Sequence, residues 1–302
     1  MYQEKGVSVA ILTQLPPQAS RKNGSALVKC GRVCYGGGEE PSCHARQVHI
    51  NPISQTMRRF FPVLVLFCLL LSQCTQPALL VYPGIMPHEL CYLDEAVPGI
   101  RVDLKYCGHD NFVGRPIDGY TTGHRAILRK DTAAALARAQ QNLNKMGYGL
   151  LIWDAYRPHR ALQDFYNWSL TDDDHTRATF YPNITKRGIY ENKYIGLKSE
   201  HSWGVAVDAT LIDLRSGKEL DMGGRHDLLD ESSATVYAGL TEQQQANRLL
   251  LRDTMAAAGL RNYSKEWWHY FLSHPGTCHQ YDFPLNDNLT RNAFPGSSTN
   301  NH

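Results

Sequence analysis

The chain has 302 residues, of which 42% are hydrophobic and 20% are charged, and its formal net charge at pH 7 is +2. This composition excludes a collagen, a disordered polymer and a polytopic membrane protein. Residues 1–76 carry 8 Lys and Arg against 3 Asp and Glu, which leaves 23 basic and 26 acidic residues in the remaining chain. A mildly acidic body without a basic run argues against nucleic acid as a partner, because phosphate binding needs clustered Lys and Arg.

The N-terminal quarter contains one continuous apolar run, residues 60–71. These 12 residues are fewer than the ~20 that cross a bilayer as a helix. Met57-Arg58-Arg59 precedes the run and a short polar segment follows it, an order typical of a secretory signal. We therefore expect a signal over 57–74, a non-native or disordered extension over 1–56, and a linker over 75–87. The alternative for the apolar run is a buried core helix.

The end of the predicted signal, residues 71–74 (LSQC), resembles a bacterial lipoprotein box, in which the cysteine is acylated. Gln73 departs from that box, because the position before the cysteine is usually Gly, Ala or Ser. We expect an exported protein in a bacterial envelope, either periplasmic or anchored to the membrane by a lipid at Cys74.

The body of the chain contains three cysteines, Cys91, Cys107 and Cys278. Three cysteines are too few for a disulfide framework. One pair could form in an oxidising compartment, and the sequence does not choose which.

Residues 88–285 are predicted to form one domain in which helices and strands alternate. The predicted helices cover 131–146, 158–168 and 242–258, and the predicted strands cover 150–153, 204–212 and 266–272. Asp131 is the expected N-cap of the first helix, and Thr241 with Gln244 forms a capping box for the third. The polar residues 286–302 are expected to be a disordered tail.

The segment 199–208 (SEHSWGVAVD) carries the first residues with the chemistry of a hydrolytic site, His201 and Asp208. Residues seven positions apart on an unbroken strand face opposite sides of a sheet. We expect Gly204 to supply a turn that lets both side chains converge.

Two further segments add to this pattern. Residues 266–269 (EWWH) offer Glu266 and His269. Two His and one Asp leave a fourth Zn²⁺ position open to water, which is the catalytic pattern, and Glu266 is then available as a base. Arg157 follows a predicted buried strand, and its fixed positive charge could stabilise an oxyanion.

These residues resemble those of the D-alanyl-D-alanine dipeptidases of the VanX type, within a wider group of zinc D,D-peptidases that share a hedgehog-like fold. The signatures SxHxxGxAxD (199–208) and ExWH (266–269) are both present in the expected order, and 154–158 (DAYRP) agrees as well. The resemblance extends from about residue 90 to 285. It implies an α+β fold, a single domain with a central antiparallel sheet and flanking helices.

The resemblance also implies one Zn²⁺ per subunit, held by His201, Asp208 and His269. A zinc-bound water would attack the peptide bond. Glu266 would be the general base, and Arg157 would stabilise the tetrahedral oxyanion.

The implied substrate is D-alanyl-D-alanine or a related D-dipeptide. Hydrolysis of D-alanyl-D-alanine would release two D-alanines. Tyr106 and Asp227 would contact its ammonium end, and Ser199 and Ser202 its carboxylate end. An exported enzyme does not meet newly made cytoplasmic dipeptide, so export favours cell-wall turnover or salvage. The sequence indicates no protein partner.

Three positions depart from the family pattern and are expected to change the shape of the pocket. Trp203 replaces an Arg, His226 replaces a Phe, and 233–234 (SA) replaces Ser-His. His226 itself is interpreted as a surface or packing residue, because it does not stand at a sequence spacing typical of metal ligands.

Two other functions fit parts of the pattern. A peptidoglycan D,D-carboxypeptidase of the same zinc group would use the same ligands with a more open cleft. A non-catalytic zinc-binding or cell-wall-binding relative would keep the fold alone, but the presence of Glu266 and Arg157 argues against it.

Overall fold

The structure is a computed structural model that describes residues 79–80, 84–120 and 125–291, all within the compact unit Ser72–His302. Most strands in these residues are short, and two are long. The strands are β1 (Leu79–Leu80), β2 (Ile85–Met86), β3 (Leu90–Tyr92), β4 (Arg101–Val102), β5 (Ile127–Arg129), β6 (Tyr148–Asp154), β7 (Ala206–Asp213), β8 (Leu260–Asn262), β9 (His269–Leu272), β10 (Gln280–Tyr281) and β11 (Thr290–Arg291).

The helices alternate with these strands along the chain. The α-helices are α1 (Leu93–Ala96), α2 (Lys130–Asn144), α3 (His159–Ser169), α4 (Arg177–Phe180), α5 (Lys186–Glu191) and α6 (Glu242–Ala257). Within the described residues, three 3₁₀ helices cover Lys105–Cys107, Glu200–Trp203 and Glu231–Ser233.

The centre of the fold is a five-stranded sheet with the order β4-β6-β7-β9-β8. Its strands pair antiparallel except for β4 and β6 at one edge, which run parallel. The predicted α+β class with a central, mainly antiparallel sheet and flanking helices is therefore confirmed. Seven of the eight residues of β7 are buried, as expected for a strand covered on both faces.

The register of β6, β7 and β9 aligns three polar residues in one row. Asp154 of β6 lies opposite Asp208 of β7, and Asp208 lies opposite His269 of β9. Residues directly opposite each other in an antiparallel pair project from the same face, with Cβ atoms about 5 Å apart. An irregularity in β6 between Ile152 and Asp154 sets this alignment.

Helix α2 covers the sheet with an apolar face spaced by three and four residues, including Leu136, Ala139 and Leu143. The predicted N-cap is wrong, because the helix begins at Lys130 and Arg129 is its N-cap. The Asp131 carboxylate instead accepts from the backbone N–H of Thr132 and pairs with Arg129.

The capping box predicted for α6 is confirmed. The side chain of Thr241 accepts from the N–H of Gln244 at 3.3 Å, and the side chain of Gln244 accepts from the N–H of Thr241 at 3.0 Å. The strand predicted over 266–272 begins later, at His269, so Glu266 lies in the turn before β9.

The domain extends beyond both predicted boundaries. The linker expected over 75–87 contains β1 and β2, and these pair with β10 and β11. The tail expected from Asn286 is held by Tyr92, whose hydroxyl donates to the Asn286 carbonyl at 2.6 Å and accepts from the Leu289 N–H at 2.9 Å. The prediction of disorder is therefore wrong for residues 286–291, and 292–302 lie outside the described residues.

The predicted extension (1–56), the signal (57–74) and Cys74 also lie outside the described residues. Within the described part of the chain, no helix is both long and apolar enough to span a membrane. Cys278 is a free thiol.

Candidate metal centre and active site

Three side chains with metal-binding atoms converge at the polar row of the sheet, two of them from the row itself. The ligand atoms of His201, Asp208 and His269 all lie within 4.8 Å of one another. Nε2 of His201 is 3.1 Å from Nδ1 of His269, and Oδ1 of Asp208 is 3.0 Å from the same Nδ1. Among the described residues, this is the one group of three such side chains at metal-binding spacing.

His201 reaches this cluster because the chain turns before β7. The 3₁₀ helix Glu200–Trp203 ends at Gly204, whose φ of 66° is left-handed. The Gly204 N–H donates to the His201 carbonyl at 2.9 Å, and the Ser199 hydroxyl accepts from the His201 N–H at 3.3 Å. The turn predicted at Gly204 is therefore confirmed.

The donor atoms of this cluster fit Zn²⁺, which binds imidazole nitrogen and carboxylate oxygen. Nδ1 of His201 lies 2.7 Å from the Ala155 carbonyl. A carbonyl only accepts, so Nδ1 carries the proton and Nε2 presents a lone pair to the cluster. That Nε2 is 3.4 Å from Oδ1 of Asp208. Two acceptors this close are stabilised by a cation between them.

The charge of the surroundings also favours a cation. Asp154, Asp208, Asp227 and Glu266 are all buried, and the buried Arg157 lies close enough to act electrostatically on each of them. Burial raises the pKa of Glu266 well above its usual value, and the nearby carboxylates of Asp208 and Asp227 raise it further. Buried carboxylates in excess are costly unless positive charge compensates them.

Asp208 differs from its acidic neighbours. Its burial opposes ionisation, but the imidazoles of His201, His226 and His269 outweigh this and hold the pKa of Asp208 well below the usual range. Asp208 is therefore an ionised carboxylate at neutral pH, as a metal ligand must be.

Arg157 is fixed by a buried carboxylate. Its Nε donates to Oδ2 of Asp154 at 2.9 Å, and its Nη2 forms an ion pair with the same oxygen at 2.8 Å. The Tyr120 hydroxyl donates to the other oxygen of Asp154 at 2.6 Å. Asp154 was not singled out from the sequence as a site residue, although it begins the segment 154–158. The signal was its place at the end of a buried strand, three residues before Arg157.

Tyr106 and Asp227 form a pair beside the cluster. The Tyr106 hydroxyl donates to Oδ1 of Asp227 at 3.2 Å. Asp227 has a φ of 60°, a left-handed conformation that costs a non-glycine residue free energy and recurs at functional sites. Burial raises the pKa of Asp227, and neighbouring His226 opposes this rise.

A cavity of about 390 Å³ joins these groups. Eight of the nine predicted site residues line it, and Ser202 does not. Ser202 is buried instead, and its hydroxyl has no hydrogen-bond partner among the described residues. Ser199 lines the cavity beside Lys198.

The departures from the family pattern lie outside this cavity. Neither Trp203 nor residues 233–234 line it, and His226 lies behind its wall. The interpretation of His226 as a surface or packing residue is wrong in part, because its Nε2 is 3.2 Å from Oδ2 of Asp208. Sequence spacing did not reveal this contact, which the tertiary fold creates.

A family model described as D-ala-D-ala dipeptidase matches residues 86–287. The chain belongs to this family. The family and the enzyme class predicted from the motifs, a zinc metallopeptidase, are therefore confirmed.

Several relatives of this chain carry the name D-alanyl-D-alanine dipeptidase. The one from Streptomyces coelicolor is 43% identical over 204 residues, covering 66% of this chain and 100% of the relative. The Enterococcus faecium relative is 40% identical over 196 residues, covering 64% and 96%. The Escherichia coli relative is 34% identical over 184 residues, covering 61% and 84%.

The turn at Gly204 provides a test of how the site is assembled. An added Cβ would lie 3.0 Å from Leu90 Cδ2 and 3.3 Å from the Arg129 backbone nitrogen. We expect Gly204→Ala to lower the free energy of unfolding by about 3 kcal/mol, since left-handed strain and overpacking add. Gly147→Ala is the matched control: φ there is 82° with nothing within 4 Å, so the expected loss is about 1 kcal/mol. Equal losses in urea denaturation would contradict this account.

Proposed function

We propose that this chain is a zinc-dependent dipeptidase that hydrolyses D-alanyl-D-alanine to two molecules of D-alanine. The observation that carries the proposal is the convergence of His201, Asp208 and His269 on the wall of a cavity that Glu266 and Arg157 also line. The names of its relatives support the choice of substrate.

The proposed ligand atoms are Nε2 of His201, Oδ1 of Asp208 and Nδ1 of His269. When bound, Zn²⁺ would lower the pKa of a water and polarise the scissile carbonyl. The hydrogen bond from His201 Nδ1 to the Ala155 carbonyl fixes the orientation of the imidazole and raises its basicity.

Glu266 is the proposed general base. Its raised pKa makes it a stronger proton acceptor than an ordinary carboxylate, and it can also return a proton. In the ionised form it would take a proton from the attacking water and pass it to the leaving amine. Its backbone is fixed for this role, since its N–H donates to the Tyr263 carbonyl at 2.9 Å and its carbonyl accepts from the His269 N–H at 3.1 Å.

Arg157 is the proposed stabiliser of the oxyanion that forms at the scissile carbonyl. Its guanidinium is permanently charged and is held by Asp154 before substrate arrives, so no reorganisation is needed during reaction. The backbone N–H of Arg157 also donates to the His201 carbonyl at 3.2 Å. This bond connects the segment of the proposed oxyanion stabiliser to the segment that carries a proposed metal ligand.

Recognition of both ends of the dipeptide would make the site selective. The buried Asp227 and the hydroxyl of Tyr106 offer oxygen atoms to an ammonium group. Ser199 would bind the carboxylate, with Lys198 adding positive charge on the same cavity wall. A longer peptide would leave buried polar groups unpaired, and such mismatches reject a substrate strongly.

We expect the purified wild-type protein to release D-alanine from D-alanyl-D-alanine and to stop when a chelator removes the metal. Glu266→Gln should lower kcat by about 10²- to 10⁴-fold, since that is the usual contribution of a positioned general base. Its zinc content should match that of the wild type, because Glu266 is not a proposed ligand.

A muramyl pentapeptide ending in D-alanyl-D-alanine is the matched substrate control. The proposal requires the dipeptide to be the better substrate. Cleavage of the pentapeptide alone would instead support a D,D-carboxypeptidase, and a Glu266→Gln variant with full activity would refute the role of the base.

We also propose that the signal over 57–74 exports the enzyme, with Cys74 as a lipid anchor and cell-wall turnover or salvage as its use. The support is the basic, apolar and polar order of these residues. Mass spectrometry of the N-terminal peptide from cells should find a chain that begins at acylated Cys74. A chain that retains residues before Met57 would refute export by this signal.

A further inference from the structure

His226 is a buried histidine that the proposed reaction does not use. It is 5% exposed, and its ring packs against Trp153 and Trp268, with centroid distances of 5.1 and 5.5 Å. The ring does not line the catalytic cavity but a separate one of about 180 Å³. His226 therefore lies behind the site, out of reach of the substrate.

The one hydrogen bond of the His226 side chain within the described residues joins it to a proposed metal ligand. Its Nε2 lies 3.2 Å from Oδ2 of Asp208. Nδ1 of the same ring is buried and has no partner among the described residues, so Nε2 is the nitrogen through which the ring is held. The same Nε2 is 3.4 Å from Oδ1 of Asp227, a longer contact.

The two oxygen atoms of Asp208 have different surroundings. Oδ1 faces His269 at 3.0 Å and His201 at 3.4 Å. Oδ2 faces His226 at 3.2 Å and Nη2 of Arg157 at 3.7 Å. Arg157 makes its short contacts to Asp154 instead. His226 is thus the group at hydrogen-bonding distance from the oxygen that points away from the cluster.

We propose that His226 is a positioning residue for the metal centre: its Nε2–H, donated to Oδ2 of Asp208, fixes the carboxylate so that Oδ1 faces His201 and His269. The inference rests on the proposed zinc site. The rings of Trp153 and Trp268 pack against the imidazole and restrict its rotation, so the direction of the donor is fixed before the metal binds. Hydrogen bonds of this kind behind a ligand typically change metal affinity by about 10- to 100-fold.

The test compares zinc dissociation constants, measured by competition with a chromogenic chelator, for the wild type and His226→Phe. The variant keeps an aromatic ring packed against the tryptophans but loses the donor. We expect it to bind Zn²⁺ at least about 10-fold more weakly, with the melting temperature of the metal-free protein close to that of the wild type. His274→Phe, at an exposed histidine, is the control and should bind Zn²⁺ like the wild type.

A second pair of variants isolates the donor and serves if His226→Phe does not fold. His226→Gln retains a side-chain N–H, and His226→Met has similar length without one. We expect the His226→Met variant to bind Zn²⁺ more weakly than the His226→Gln variant. Wild-type zinc affinity in the His226→Phe variant, or equal zinc affinities in the His226→Gln and His226→Met variants, would overturn the proposal. Failure of the wild type to hydrolyse the dipeptide would refute the proposed function instead, since these zinc measurements do not depend on turnover.

Discussion

The register of β6, β7 and β9 is the constraint on which the site depends. It aligns Asp154, Asp208 and His269 in one row on one face of the sheet. A slip of one residue in β7 would turn Asp208 to the opposite face and separate it from His269. Because β7 is the central, buried strand of the sheet, the hydrophobic core that stabilises the domain also fixes this register.

Around that row, each polar group depends on a neighbour. Asp154 fixes Arg157, the backbone after β6 accepts from His201, and His226 contacts Asp208 from behind. The proposed ligands Asp208 and His269 lie on strands, which hold side chains more rigidly than long loops do. The buried carboxylates of the site favour binding of a divalent cation. Arg157, whose position Asp154 fixes, is proposed to stabilise the oxyanion of the substrate.

Much of the site was predictable from the sequence because its motifs are local. The turn at Gly204 and the capping box of Thr241 follow from neighbouring residues and were predicted correctly. The contacts of Asp154 with Tyr120 and of His226 with Asp208 join segments that are distant in the sequence, so no local pattern revealed them. The strands at both ends of the domain were missed for the same reason, since two-residue strands such as β1 gain their structure from partners about 200 residues away.

A crystal structure of the zinc-loaded protein, with anomalous diffraction recorded on both sides of the zinc edge, would locate the metal directly. We expect a single strong anomalous peak in the catalytic cavity, within coordination distance of His201 Nε2, Asp208 Oδ1 and His269 Nδ1. A cavity without such a peak, or zinc held by other residues, would contradict the proposed zinc site.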